Sequence, residues 1–295
     1  MKLLLVTAAL LAIAAPSVAE IDAMQHRAEV DEWHQGRLER LQKPESWLSL
    51  VGLFRLSDGD NSFGSDESND LRFPAKAPAH AGSIHIEGGK AKLLASATSG
   101  ILIDGIAATE QKLGSDVDED TSIMEMGSFR FYVLERDELR LLRVKDRESD
   151  ILAGFHGIDR FDVDLNWRVQ ARWVDEATPR MLRIPNVLGQ VSEEELAGHV
   201  EFEVEGVTYR LDPVVSGDSL WFIYGDATNG DESYGAGRFL YTDLPDEDGN
   251  LVIDFNRSYN PPCVFTPYAT CPLPPEGNTL ALRVTAGEKM WGEEH

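Results

Sequence analysis

The chain has 295 residues and carries 27 basic against 51 acidic side chains, a formal net charge of −24. A field of that sign repels polyanions, and no run of Lys and Arg offers the counterion release that phosphate-backbone binding requires, so nucleic acid is excluded and cationic or neutral partners are favoured. The length exceeds the usual single-core size and predicts two packed units.

Residues 1–19 read as a secretory signal peptide. Lys2 supplies a basic start, Leu3 to Ala15 an apolar stretch, and Ser17-Val18-Ala19 a small-residue exit. Cleavage is predicted after Ala19, giving a mature chain that starts at Glu20 in the periplasm or the medium. The apolar stretch, about thirteen residues, is shorter than the roughly twenty of a membrane helix, and no later stretch is as long, so no membrane span is predicted. Both cysteines lie near the other end, so nothing points to a lipid anchor.

Residues 20–44 are charged and punctuated by Val30, Trp33, Leu38 and Leu41 at helical spacing, which predicts an amphipathic helix stopped before Pro44. Strand signals then dominate. Trp47 to Leu56 is nearly all apolar, Ile84 to Ile86 and Ile101 to Ile103 are short β-branched runs, and Phe129 to Leu134 pairs with Leu139 to Val144. These make residues 45–148 a sandwich-like unit, with a charged junction between about Lys145 and Asp164.

Residues 149–295 read as a larger β unit. Trp167 to Trp173 alternates, with Trp167, Val169, Ala171 and Trp173 on one face, the pattern of a half-buried strand. Val200 to Val204 and Val207 to Leu211 alternate around Glu205-Gly206, which predicts a two-residue hairpin. Leu220 to Tyr224, Phe239 to Tyr241, Leu251 to Phe255 and Leu280 to Val284 are further expected strands. The fold class is mainly β: an N-terminal helix followed by two β-sheet units.

A set of short motifs runs through the chain: Gly225 to Gly230, Tyr234 to Tyr241, Asp254 to Cys263, Thr266 to Pro275, and Ala286 to Lys289, preceded by Trp47 to Phe54 and Phe63-Gly64-Ser65. The combination resembles the prokaryotic family filed as domain of unknown function 1684, which implies no reaction. Inside residues 47–146, Phe63 to Asp66, Asn69 to Leu71, Ala79-His80-Ala81 and Met126-Gly127 are faintly similar to a forkhead-associated β-sandwich. Ser65 stands where that module has its phosphate-binding arginine, and Ala77-Pro78 occupies the approach to His80, so the resemblance implies the fold and not phosphopeptide binding.

The densest polar constellation is Asp226, Thr228, Tyr234 and Arg238, followed by Asp254, Asn256, Arg257, Tyr259 and Asn260. Several of these residues follow apolar strands and enter loops, where a rigid sheet can converge polar groups on a ligand. Asp226, Thr228, Tyr234, Arg238, Asp254, Asn256, Arg257 and Asn260 are therefore ligand-binding candidates. The competing reading makes them a structural network around the Pro-rich loop. Asp254, between Ile253 and Phe255 in a strand, calls for compensation by Arg238 or Arg257.

No motif identifies a cofactor or a reaction. There is no Gly-x-Ser-x-Gly elbow, no phosphate loop, no paired metal-ligand spacing among His26, His34, His80, His85, His156, His199 and His295, and no complete calcium loop at Asp243 to Asn250. Cys263 and Cys271, an even pair in an exported chain, are expected to form a disulfide. Two functional readings stand: an envelope protein binding a small polar ligand or a partner protein through its C-terminal β unit, or a hydrolase or lyase on a polar envelope compound with Asp226 or Asp254 as acid or base.

Overall fold

The computed structural model describes residues 22–292, so the predicted signal peptide lies outside the described residues. Among the described residues the chain is mainly β, with a long helix at Ala23–Leu41, a single turn of helix at Asp150–Ala153 and four sheets. Asp22 caps the helix by accepting a hydrogen bond from the Met24 amide at 3.1 Å. Its buried face is His26, Val30, His34 and Leu41, whereas Trp33 and Leu38 are half-buried. The apolar spacing found Val30 and Leu41 on the inner face but missed His26 and His34, which meet carboxylates from the far end of the chain.

The first pair of sheets uses residues 50–146. A six-stranded sheet holds Leu50–Arg55, Leu139–Asp146, Phe129–Arg136 and Met124–Met126 in that order, and a five-stranded sheet is built around Gly59–Gly64, Gly82–Glu87 and Lys90–Ala95. Phe63, Ile84 and Leu93 from one sheet pack on Phe131, Val133, Leu142 and Val144 from the other. Alternation along Leu139–Asp146 sends Leu142 and Val144 into this core and turns Arg143 and Lys145 to the opposite face.

The second pair uses residues 168–254. Its four-stranded sheet has the order Val207–Leu211, Val191–Val204, Arg168–Pro185, Asn250–Asp254, and its three-stranded sheet has the order Val214–Ser216, Ser219–Tyr224, Arg238–Asp243. Val169, Ala171, Val200 and Phe202 face Phe222, Tyr224 and Leu240, with Trp167 and Trp173 packed at the margin. Glu205 (φ 52°) and Gly206 (φ 78°) close the predicted hairpin with both central residues left-handed, as a two-residue turn of this kind needs. The 18-residue strand Arg168–Pro185 and its 14-residue partner carry a register shift between Asp175 and Arg180. Beyond it, Leu182, Ile184 and Leu196 pack on Ile223 and Phe239, so one long hairpin contributes to two cores.

Leu280 to Val284 is not a strand. Leu280, Val284 and Ala286 still dock in the core, but the carbonyls of Val284 and Ala286 accept hydrogen bonds from the Arg238 guanidinium at 2.9 and 2.5 Å instead of pairing with a neighbouring strand.

Leu50 from the first pair of sheets packs on Ala269 and Cys271, and the Leu50 carbonyl accepts from Thr266 Oγ1 at 3.3 Å. The Cys263–Cys271 disulfide is formed, so the Pro-rich loop that meets the first sheets is closed covalently. Among the described residues no helix is long and apolar enough to cross a membrane.

Candidate functional site

The structure divides the predicted polar constellation into three places. The first is the interior of the second pair of sheets. Arg238 opens the strand Arg238–Asp243, and the turn before it must approach the next strand closely. Gly237 has φ +92°, and a Cβ there would stand 2.6 Å from the Tyr224 carbonyl oxygen. Arg238 Nη2 donates to Asp226 Oδ2 at 2.7 Å, with both side chains fully buried. Asp226 Oδ1 accepts from the Thr228 amide, the Thr228 hydroxyl and the Val284 amide at 2.8, 2.7 and 3.2 Å. Four protein donors hold this carboxylate, three on Oδ1 and Arg238 on Oδ2, the arrangement of a structural ion pair. Beside it, burial pushes the Tyr224 phenol up to about 12, and its hydroxyl is held 2.7 Å from Ser258 Oγ.

The second place is the helix contact. Asp254 points away from the core that takes Ile253 and Phe255, and its Oδ2 meets His26 Nε2 at 2.8 Å and Arg257 Nε at 3.6 Å. Asn256 binds Asp254 Oδ1 through its amide and its side chain, and clamps the Asp164 backbone by 3.0 and 2.9 Å hydrogen bonds. Arg238, the other partner considered for Asp254, is committed to Asp226. His26 is the partner that sequence spacing did not reveal.

The third place is a cleft of about 240 Å³ where the helix, the turn at Trp47, the three-stranded sheet of the second pair and the Pro-rich loop converge. Its walls are Trp47, Trp221, Phe239, Tyr259 and Phe265, with Asn260, Thr270 and Arg37 among the polar groups. Of the eight ligand-binding candidates only Asn260 lines it. Tyr234 lines a separate hollow with Val187, Cys263 and Trp291. Arg37 lies 4.5 Å over the Tyr259 ring and grips Glu288 through Nε at 2.5 Å and Nη2 at 3.1 Å, while Nη2 also donates to the Asn260 carbonyl at 2.9 Å. Glu288 is buried and also accepts from the Asn260 amide at 2.7 Å. Burial holds His34, 3.9 Å from Glu288, below the usual histidine range.

Two buried polar atoms of cleft-lining residues have no hydrogen-bond partner among the described residues: Trp221 Nε1 and Asn260 Oδ1. Asn260 donates to the Lys289 carbonyl at 2.7 Å with its other side-chain atom, which fixes its orientation. A third group stands just behind the wall. Arg143 is 5% exposed, stacks at 5.7 Å over Trp47 and donates to Thr270 Oγ1 at 3.3 Å. Among the described residues no set of three or more His, Cys, Asp or Glu side chains is grouped to hold a metal ion.

A family model described as protein of unknown function (DUF1684) matches residues 153–289, which includes the motifs from Gly225 to Lys289 and leaves those at residues 47–65 outside. A solution NMR structure of an uncharacterized protein from Haloarcula marismortui is 29% identical over 46% of this chain and 78% of that one, with a TM-score of 0.39. An FHA domain solved in a study of phosphothreonine-dependent interactions is 17% identical over 32% of this chain and 92% of that one, with a TM-score of 0.23. Both scores are too low for either likeness to carry an argument. No curated protein matches.

Proposed function

We propose that this chain is an exported, non-catalytic binding protein that holds a small ligand in the cleft between Trp47 and the second pair of sheets. The observation that carries this reading is the pairing of aromatic walls with the unpartnered Trp221 Nε1 and Asn260 Oδ1. Buried polar groups are hydrogen-bonded in the great majority of cases, so two such atoms on the residues of one cleft are groups that a polar ligand would satisfy. The aromatic faces supply contact area, and the two polar atoms supply orientation.

The acid–base reading has less support. Asp226 is enclosed with Arg238 inside the core, and Asp254 is engaged by His26 and Asn256, so neither carboxylate lines the cleft. Export is supported by the basic start, apolar core and small-residue exit of residues 1–19, and is compatible with the Cys263–Cys271 disulfide.

A thermal-shift screen of small polar aromatic compounds on the mature chain tests the proposal, with hits followed by quenching of tryptophan fluorescence. Trp221→Phe keeps a ring and removes the N–H, so a cleft ligand that uses it should bind roughly fivefold more weakly, the effect of one lost hydrogen bond. The proposal fails if no compound raises the melting temperature, or if every hit binds Trp221→Phe as well as the native chain.

A further inference from the structure

Two buried arginines, Arg143 and Arg238, and the half-buried Arg37 lie in this part of the molecule, and they are not equivalent. Arg238 is neutralised by Asp226 and Arg37 by Glu288. Arg143 forms no ion pair among the described residues; its one hydrogen bond is to the Thr270 hydroxyl, and its buried Nε has no partner. A guanidinium cannot shed its proton to escape burial, so a buried one without a counterion is costly, and an anion supplied from outside the fold would offset that cost.

The surroundings of Arg143 add to the positive potential. Lys145 projects from the same face of the strand. Burial holds its ammonium below the usual lysine range, with the Arg143 and Arg130 charges pushing the same way and Glu45 opposing. Glu45 is already shared between Arg130 at 3.3 Å and Arg147 at 3.0 Å. A chain of net charge −24 thus holds a local positive excess at the seam between the two pairs of sheets, bordering the cleft through Trp47 and Thr270. The net charge favours cationic or neutral ligands at long range. Screening over about 8 Å leaves the nearest charges to decide the sign at contact.

Resting on the binding function proposed above, we infer that the cleft takes a small aromatic carboxylic acid, with its ring between Trp47, Trp221 and Tyr259 and its carboxylate at the Thr270 wall, facing the charge of Arg143 directly behind it. The class follows from three constraints. A cavity of about 150 Å³ takes a benzene, so one of about 240 Å³ takes an occupant of on the order of ten non-hydrogen atoms. The walls are ring faces, which suits one aromatic group. A planar guanidinium prefers a planar two-oxygen anion, and carboxylate is the smallest that a ring can carry.

Phenylacetate, its neutral counterpart phenylacetamide, and acetate are titrated into the mature chain by calorimetry. Phenylacetate is expected to bind at least tenfold more tightly than either of the other two. Arg143→Gln should erase the preference over phenylacetamide, and Arg143→Lys should restore part of it. Because the arginine lacks a protein counterion, Arg143→Gln should melt at the native temperature or above it, which a structural arginine would not allow. Equal binding of phenylacetate and phenylacetamide overturns the carboxylate inference and leaves the cleft in place. Acetate binding as tightly as phenylacetate overturns the aromatic part. If neither aromatic probe binds while the thermal-shift screen yields another cleft ligand, the inference falls alone, and if that screen is also empty both readings fall. A fall in melting temperature for Arg143→Gln without any change in ligand preference makes Arg143 structural.

Discussion

Arg238 and Asp226 form an ion pair of 2.7 Å whose side chains are both entirely out of contact with solvent. The same guanidinium ties down the carbonyls of Val284 and Ala286. One side chain thus closes the core where a strand would otherwise run. Asp226→Ala leaves that cation buried with only carbonyls for company and should cost about 3–5 kcal/mol, read as a lower denaturation midpoint. A loss below about 1 kcal/mol would mean that water reaches the pair and that it is not structural.

The helix is fastened to the second pair of sheets by His26 on Asp254 and Arg37 on Glu288. His26→Ala should cost about 1–3 kcal/mol, the range for leaving a buried hydrogen-bonding group unpaired. Amide hydrogen exchange should speed up along Ala23–Leu41 and hold steady in the strands. Uniform acceleration across the sheets would show that the helix is not a separable clasp.

His34 sets a pH dependence. Its folded pKa is depressed, chiefly by burial, so the unfolded chain binds the proton more readily. The stabilising contribution is therefore complete above the ordinary histidine pKa of about 6.5 and is lost as pH falls through the lower folded value. His34→Gln should flatten the decline in melting temperature on the acid side of neutrality. An unchanged profile in the variant would assign that decline to other groups.

Reduction of Cys263–Cys271 should loosen the loop that walls the cleft. The small ring implies a loss of roughly 2–3 kcal/mol, and the Cys263→Ser, Cys271→Ser double variant should lose cleft ligands more than it loses secondary structure. Free-thiol titration of the unfolded, unreduced chain is expected to find none. Two reactive thiols would contradict the bridge.

Export predicts a mature mass starting at or near Glu20. Intact-mass analysis of material recovered outside the cytoplasm checks it, and an unprocessed chain beginning at Met1 would refute it.

Much of the sheet structure was legible because it obeys short-range rules. The alternation from Trp167 to Trp173 placed Val169 and Ala171 in the core, and Glu205-Gly206 identified its hairpin. The segment Leu280 to Val284 has the composition of a strand, yet the Val284 carbonyl, and that of Ala286 just past it, bond to a side chain 46 and 48 residues away, which no local pattern encodes. The polar constellation was visible as composition, but its division into a core ion pair, a helix clasp, two cleft residues (Tyr259 and Asn260) and Tyr234 in a separate hollow depends on tertiary partners. His26 and Arg37 are not apolar, so the spacing that predicted an amphipathic helix did not count them on its inner face. The cleft itself joins residues from 37 to 272, and Arg143 reads in sequence as one more polar residue of an alternating strand.

Crystallographic fragment screening of the mature chain tests the binding account most directly. Fragments are predicted to collect in the cleft, with a ring against Trp221 or Tyr259 and a polar atom within hydrogen-bond distance of Trp221 Nε1 or Asn260 Oδ1. An empty cleft, with fragments gathered instead around Asp254 and Arg257, would contradict it and return the carboxylates to the centre of the function.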